Sequence, residues 1–375
     1  MSQPLPASLV RYARDVEVVQ PGEGETIAKI LESMHRLAGR TQAQHGRAVR
    51  VSHAKMHGAA VGELVVPEGL PEPLAQGLFS SPGRYPVIAR LANVPGEIMS
   101  DAVSTQTGLS FKVLGVRGEM LPGHAGQVTQ DFVLDTGSRF AAADAAAFLL
   151  THRALEHAPR VPEAAKQLAS RASRATNSLL HRLGGDSATL DFLGHPRIHP
   201  LAEAYFTQAP IRYGDYVAKL AAVPATPGQQ ALAGAAPGAG PGAGPGTGAE
   251  ENALRTATVG FLREQEAAFD IRVQLCTSLE TMPVEDASKE WPEQESPYRT
   301  VARLAFPRQD AFTEARRRYV DEDLSFCVSH SLVAHRPLGS IMRARLRAYP
   351  AMSRLRREAN GRPLAEPRSV AEVPG

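Results

Sequence analysis

Residues 85–116, YPVIARLANVPGEIMSDAVSTQTGLSFKVLGV, set two apolar, β-branched runs, PVIARLAN and GLSFKVLG, on either side of a polar connection containing glycine and proline. Short runs of this kind bounded by turn residues read as strands of an antiparallel sheet or barrel. Working outward, AVRVSHAK (48–55), GELVVPEG (62–69) and TQDFVLDTG (129–137) carry the same signature. From 143 the pattern changes to helical spacing, in ADAAAFLLTHRALEHA (143–158) and PEAAKQLASRA (162–172). FDIRVQLC (269–276) and YRTVARLAFP (298–307) are strands again, and PLGSIMRARLRAYPAMSRLRREANG (337–361) is a helix with Gly361 at its C-terminal cap.

Between the two strand groups lies a Pro/Gly/Ala run, Pro224 to Asn252, with almost no apolar bulk and no charge before Glu250. Such a composition cannot build a core and is expected to be disordered. Because strands occur on both sides of it, the run reads as an insertion within one α+β domain, and loop closure makes such an insertion cheap.

The chain has 375 residues, 41 basic and 39 acidic, for a net charge of +2. That balance argues against a protein that coats nucleic acid or an acidic membrane surface. Two cysteines, Cys276 and Cys327, cannot form a disulfide framework or a four-thiolate metal site. The opening stretch MSQPLPASLVRYARDV lacks the basic start and apolar run of a signal peptide, so a cytoplasmic location is expected. No apolar stretch approaches the ~20 residues needed to span a bilayer.

In the last helix Arg345, Tyr349, Met352 and Arg356 are spaced to share one face. A guanidinium one turn before a phenol favours the phenolate, the form that ligates ferric iron. The bland alternative is a surface helix with solvated arginines, and Pro350 removes one of its hydrogen bonds. The same segment concentrates Arg336, Arg343, Arg345, Arg347, Arg354, Arg356, Arg357 and Arg362, a set suited to phosphates or to the carboxylates of a buried anionic cofactor. In RVSHAKMHG (50–58), His53 and His57 are four apart, but on a strand that spacing does not bring a zinc pair together. The choice for His53 is a satisfied core histidine or a proton shuttle.

Taken together, RVSHAK, IARLAN, the strand series and the Arg-x-x-x-Tyr-Pro helix resemble the haem-dependent catalases, in particular their shorter catalase-like branch, over residues 40 to 360 apart from the insertion. The resemblance implies an α+β fold built on an antiparallel β-barrel with surrounding helices, organised as an N-terminal arm (1–30), a haem domain (31–360) and a tail (361–375). It implies haem b as cofactor, with Tyr349 as the iron ligand, Arg345 holding it as phenolate, and His53 as the acid/base on the open face. Arg50 and Arg90 are then candidates for the propionates, Arg354 and Arg356 complete the tyrosine motif, and Phe132 and Phe140 fall at aromatic positions of the family. Where catalases carry an asparagine in a Gly-Asn-Asn-Thr-Pro stretch, this chain has Gly126, Gln127, Val128, Thr129 and Gln130, which makes Gln127 the candidate amide donor. The implied activity is decomposition or reduction of hydrogen peroxide or organic hydroperoxides with a small-molecule electron donor, in a homo-oligomer. Two other readings are rearrangement of a fatty-acid hydroperoxide, as in allene oxide synthase-like relatives, and non-catalytic haem binding.

Overall fold

A computed structural model describes residues 5–6, 8–182, 194–233 and 251–375. The strands are β1 Met56–Val66, β2 Gly83–Asn93, β3 Thr107–Leu114, β4 Thr129–Thr136, β5 Tyr205–Phe206, β6 Ile211–Tyr213, β7 Tyr216–Pro224, β8 Ala267–Leu275 and β9 Arg299–Phe306. They run in the order β5-β4-β3-β2-β1-β9-β8-β7-β6, and β5 also pairs with β7. Eight strands therefore close into an antiparallel barrel, with β6 joined to β7 outside the ring. The seam is β5, whose Tyr205 faces Thr136 on one side and Ala222 on the other.

Strand alternation divides the core in two. Ala89, Leu91, Phe111, Phe132, Leu134, Leu220 and Phe269 fill the barrel. Met56, Ala59, Ile88, Leu114 and Val133 point outward and are covered by Val320, Leu324, Phe326, Val328 and Val373. Because both faces of β4 are covered, all eight of its residues are buried.

The helices are α1 Glu23–His45, α2 Ala145–Leu155, α3 Glu163–Arg182, α4 Pro227–Ala231, α5 Ala253–Glu264, α6 Glu314–Arg318 and α7 Ser340–Ala359. A π-helical turn, Tyr319–Asp323, continues α6. Helices α1, α2 and α7 bury Ile27, Ile30, Met34, Leu149, Ala344, Ala348 and Met352 against one another.

Several expectations change. AVRVSHAK is not a strand: residues 51–53 form a bend, and the chain enters β1 at Met56. The boundary at 30/31 falls inside α1, and the mostly exposed segment 361–375 is anchored on the barrel by Val373, 7% exposed. The run expected to be disordered over 224–252 lies outside the described residues from 234 to 250. Its near flank is folded: α4 starts with a capping box, in which Thr226 accepts from the Gln229 amide and the Gln229 side chain accepts from the Thr226 amide.

Candidate functional site

Helix α7 runs through Pro350 without interruption and places Arg345, Tyr349, Met352 and Arg356 on one face, as the spacing requires. Arg345 Nη2 donates to Tyr349 Oη at 2.9 Å, and the guanidinium carbon lies 5.1 Å from the centre of the phenol ring. Burial raises the Tyr349 phenol above its ordinary value, and Arg345 opposes that rise. The expectation of a lowered phenol is therefore corrected: the guanidinium acts in the predicted direction, but burial outweighs it.

Asp135, at the C-terminal end of β4, faces the same region. Its Oδ1 lies 2.6 Å from His53 Nε2. Burial works against the Asp135 carboxylate, yet the imidazole and Arg345 hold it below its ordinary value. Asp135 and Tyr349 in turn raise Arg345 against the effect of its own burial.

His53 has φ +60°, a left-handed conformation uncommon for a non-glycine residue. The bend is pinned by backbone hydrogen bonds from His53 N to Val94 O at 2.8 Å and from Ala54 N to Pro95 O at 3.0 Å. Ser52 Oγ lies 2.8 Å from His53 Nδ1 and donates to Val94 O at 3.1 Å. Strain held in this way at a titratable residue is a frequent mark of a functional position.

A third group of residues surrounds the π-helical turn. Arg50 Nη2 donates to Val320 O at 2.8 Å and to Leu324 O at 2.9 Å, while its buried Nε has no hydrogen-bond partner. Arg90 Nη2 donates to Asp321 Oδ1 at 2.9 Å and to His53 O at 2.8 Å, tying the cluster to the histidine bend. Arg356 donates to Glu322 O and Leu324 O at 2.7 Å each. Burial, reinforced by Arg356 and Arg90, depresses Arg50; burial and Arg357 bring Arg356 down to about 10. Around Arg50 stand the guanidiniums of Arg356, Arg90 and Arg357 and the carboxylate of Asp321. An anion placed there would lower the mutual repulsion of these cations.

His53, Arg50, Arg90, Arg345, Tyr349 and Arg356 are therefore brought into one region. Gln127 is not. It precedes the opposite end of β4 and its Oε1 lies 3.1 Å from His124 Nδ1, whereas the residue of this strand that reaches His53 is Asp135. Phe132 lies apart from them: it alternates to the barrel interior, with ring centres 5.0 Å from Phe111 and 6.0 Å from His335. Arg354 is exposed on the far side of α7. Phe140 lies outside β4, half-buried, with its ring centre 5.5 Å from that of Phe148, whose side chain packs against both the barrel core and the α1–α2–α7 core.

Asp135 was missed, although TQDFVLDT carries a signal for it. Asp131 and Asp135 stand four apart in an otherwise apolar strand, hence on one face, and charges in a buried strand need partners. Arg357 also belongs here, 3% exposed, donating to Ser325 Oγ at 3.2 Å. His57 is a buried core residue, pushed down to about 4 by burial, with Nε2 2.5 Å from Asn93 Oδ1. Among the described residues no group of three or more histidine, cysteine or carboxylate side chains is placed to hold a metal ion, and no helix is long and apolar enough to cross a membrane.

No family model and no curated protein matches the sequence. Solved structures do. A fungal catalase aligns with TM-score 0.59 at 16% identity, over 85% of this chain and 61% of its own. A bacterial catalase gives 0.54 at 16% identity, over 86% and 62%. Catalase A from Saccharomyces cerevisiae gives 0.56 at 13% identity, over 84% and 62%. The chain thus spans about three fifths of the length of each of these catalases. With the closed eight-stranded antiparallel barrel and the α7 helix that carries Arg345 and Tyr349, this likeness makes the chain a protein of catalase-like fold.

Proposed function

We propose that the protein is a haem-dependent oxidoreductase acting on peroxides, with haem b ligated by Tyr349 and its open face toward His53. The observation that carries this reading is the Arg345–Tyr349 pair at 2.9 Å, a buried guanidinium on a partly buried phenol, in the same region as a strained histidine. The buried arginine cluster of Arg50, Arg90 and Arg356, together with the orphaned Arg50 Nε, fits a cofactor that brings two carboxylates of its own.

When bound, the haem would supply an iron centre able to take oxidising equivalents from an O–O bond. Each residue then has a defined task. Arg345, donating to Tyr349 Oη, would favour the phenolate form that an iron ligand requires. Arg50, Arg90 and Arg356 meet the propionates, and Phe140 is the aromatic candidate beside the ring. The His53–Asp135 pair would take up the peroxide proton and, once protonated, return it to the leaving oxygen. The oxidant is hydrogen peroxide or an organic hydroperoxide, the electron donor is a small molecule, and the assembly is a homo-oligomer.

An absorption spectrum of protein reconstituted with haemin tests the cofactor. We expect a Soret band that shifts or disappears in Tyr349→Phe; no band, or a band unaffected by that substitution, refutes the reading. For the proton role, His53→Ala is expected to slow peroxide consumption by roughly 10²-fold or more, and equal rates would rule the role out.

A further inference from the structure

The open face of the site is closed off by hydrogen bonds already made. His53 Nε2 is 2.6 Å from Asp135 Oδ1, and an ionised carboxylate can only accept. His53 Nδ1 is held by Ser52 Oγ at 2.8 Å, and the Ser52 hydroxyl has Val94 O within reach at 3.1 Å. Every hydrogen on these three side chains that could reach a small oxygen ligand therefore has a protein acceptor.

Gly108 makes the close approach possible. Paired with Asp135 across β3 and β4, it lies where a Cβ would meet His53 Nε2 at 2.5 Å and Asp135 Oδ1 at 2.6 Å. A Cβ there would force both side-chain ends to shift from the positions that make this contact.

We propose that Asp135 is the specificity-determining residue of this site: by capturing His53 Nε2 it leaves a face that accepts a proton but donates no hydrogen bond, and so favours oxidation of an external donor over dismutation of hydrogen peroxide. The proposal rests on the haem reading above. Dismutation turns two H2O2 into O2 and two H2O. Its second H2O2 must be held at the open face while it gives up two protons and two electrons, and a face with acceptors but no free N–H or O–H leaves the oxygens of H2O2 without the donors they would have in water. A phenolic donor needs no such seat. In the favoured reaction a hydroperoxide ROOH and two phenols ArOH give ROH, H2O and two phenoxyl radicals ArO•. The O–O bond breaks and takes up two electrons and two protons, one of each from each phenol.

The test uses haemin-reconstituted protein and compares wild type, Asp135→Asn and Gly108→Ala. Asparagine keeps the shape of aspartate and supplies N–H donors; Gly108→Ala keeps the aspartate but its methyl group displaces both side-chain ends from their present contact. Fluoride affinity, read from the absorption spectrum, reports donors at the open face without turnover. In Asp135→Asn we expect fluoride to bind about tenfold or more tightly, as one hydrogen bond to a charged group allows. Oxygen release relative to guaiacol oxidation should rise by a similar factor, and Gly108→Ala should move both readouts in the same direction. A Soret band present in all three proteins, with fluoride affinity and product ratio within about twofold of wild type in both variants, overturns the role of Asp135 and leaves the haem reading standing. Absence of the Soret band in wild type overturns both. Should Asp135→Asn fail to fold, Gly108→Ala decides alone on the same two criteria.

Discussion

Lys112 is the most completely buried cation in the barrel wall, with 0% of its side chain exposed, and it is held by two carboxylates from distant parts of the chain. Its Nζ lies 2.6 Å from Asp131 Oδ1 and 2.6 Å from Glu366 Oε2. Both contacts are needed, because Asp131 Oδ2 already accepts from the Cys327 amide at 2.8 Å. Burial pushes Glu366 up, but Lys112 and His330 outweigh it and hold the carboxyl below its ordinary 4.5. A carboxyl depressed in the folded state contributes stability that is complete above its unfolded value and is lost as pH falls toward the folded one. Stability should therefore decline as pH drops below about 4.5. Glu366→Gln should cost roughly 3 kcal/mol at neutral pH, since it strips a buried charge of one partner, and should flatten that acid limb. Denaturant melts of both proteins at neutral pH and at about pH 3.5 check the prediction; parallel acid limbs would contradict it.

At the scale of elements, α7 depends on a tie at its first turns. Arg343 meets Glu17 at 2.8 Å, Glu23 at 2.6 Å and Glu285 at 2.7 Å, joining the N-terminal segment, α1 and the loop before β9 to the helix that carries Tyr349. Three carboxylates sharing one half-buried guanidinium would repel one another without it. Arg343→Met is expected to destabilise by about 2–4 kcal/mol, and adding Glu285→Gln should restore part of that loss. Thermal melts of the single and double variants test it; simple additivity of the two losses would refute the shared network. The strands and α7 were legible in the sequence because each carries its own period and its own turn residues. The histidine bend was not, since RVSHA looks like a strand and only the backbone bonds to Val94 and Pro95 turn it into a left-handed corner. Nor were β5 and β7: a two-residue strand has no period, and β5 exists because the barrel needs closing. Gln127 was chosen for its amide, whereas the residue that reaches His53 follows from the register of β4 against Gly108, which a strand read alone does not reveal.

At the scale of the whole molecule, the barrel interior and the candidate site are separate compartments divided by β4, and Phe132 tells them apart. Its side chain is 4% exposed and belongs to the interior core with Phe79, Phe111 and His335, while Val133 and Asp135 point to the other side of the wall. Truncating it opens a cavity inside the closed ring, where neighbouring strands are hydrogen-bonded on both sides and cannot readily collapse inward. Phe132→Ala should then cost about 3–5 kcal/mol in global unfolding. The variant that still folds at low temperature should give the same Soret position and the same fluoride affinity as wild type, because no atom facing the site has changed. Phe140→Ala should do the reverse, with a smaller loss of stability from a half-buried ring and a shifted spectrum. A Soret shift in Phe132→Ala, with none in Phe140→Ala, would show that the cofactor lies within the barrel interior and not between its wall and α7.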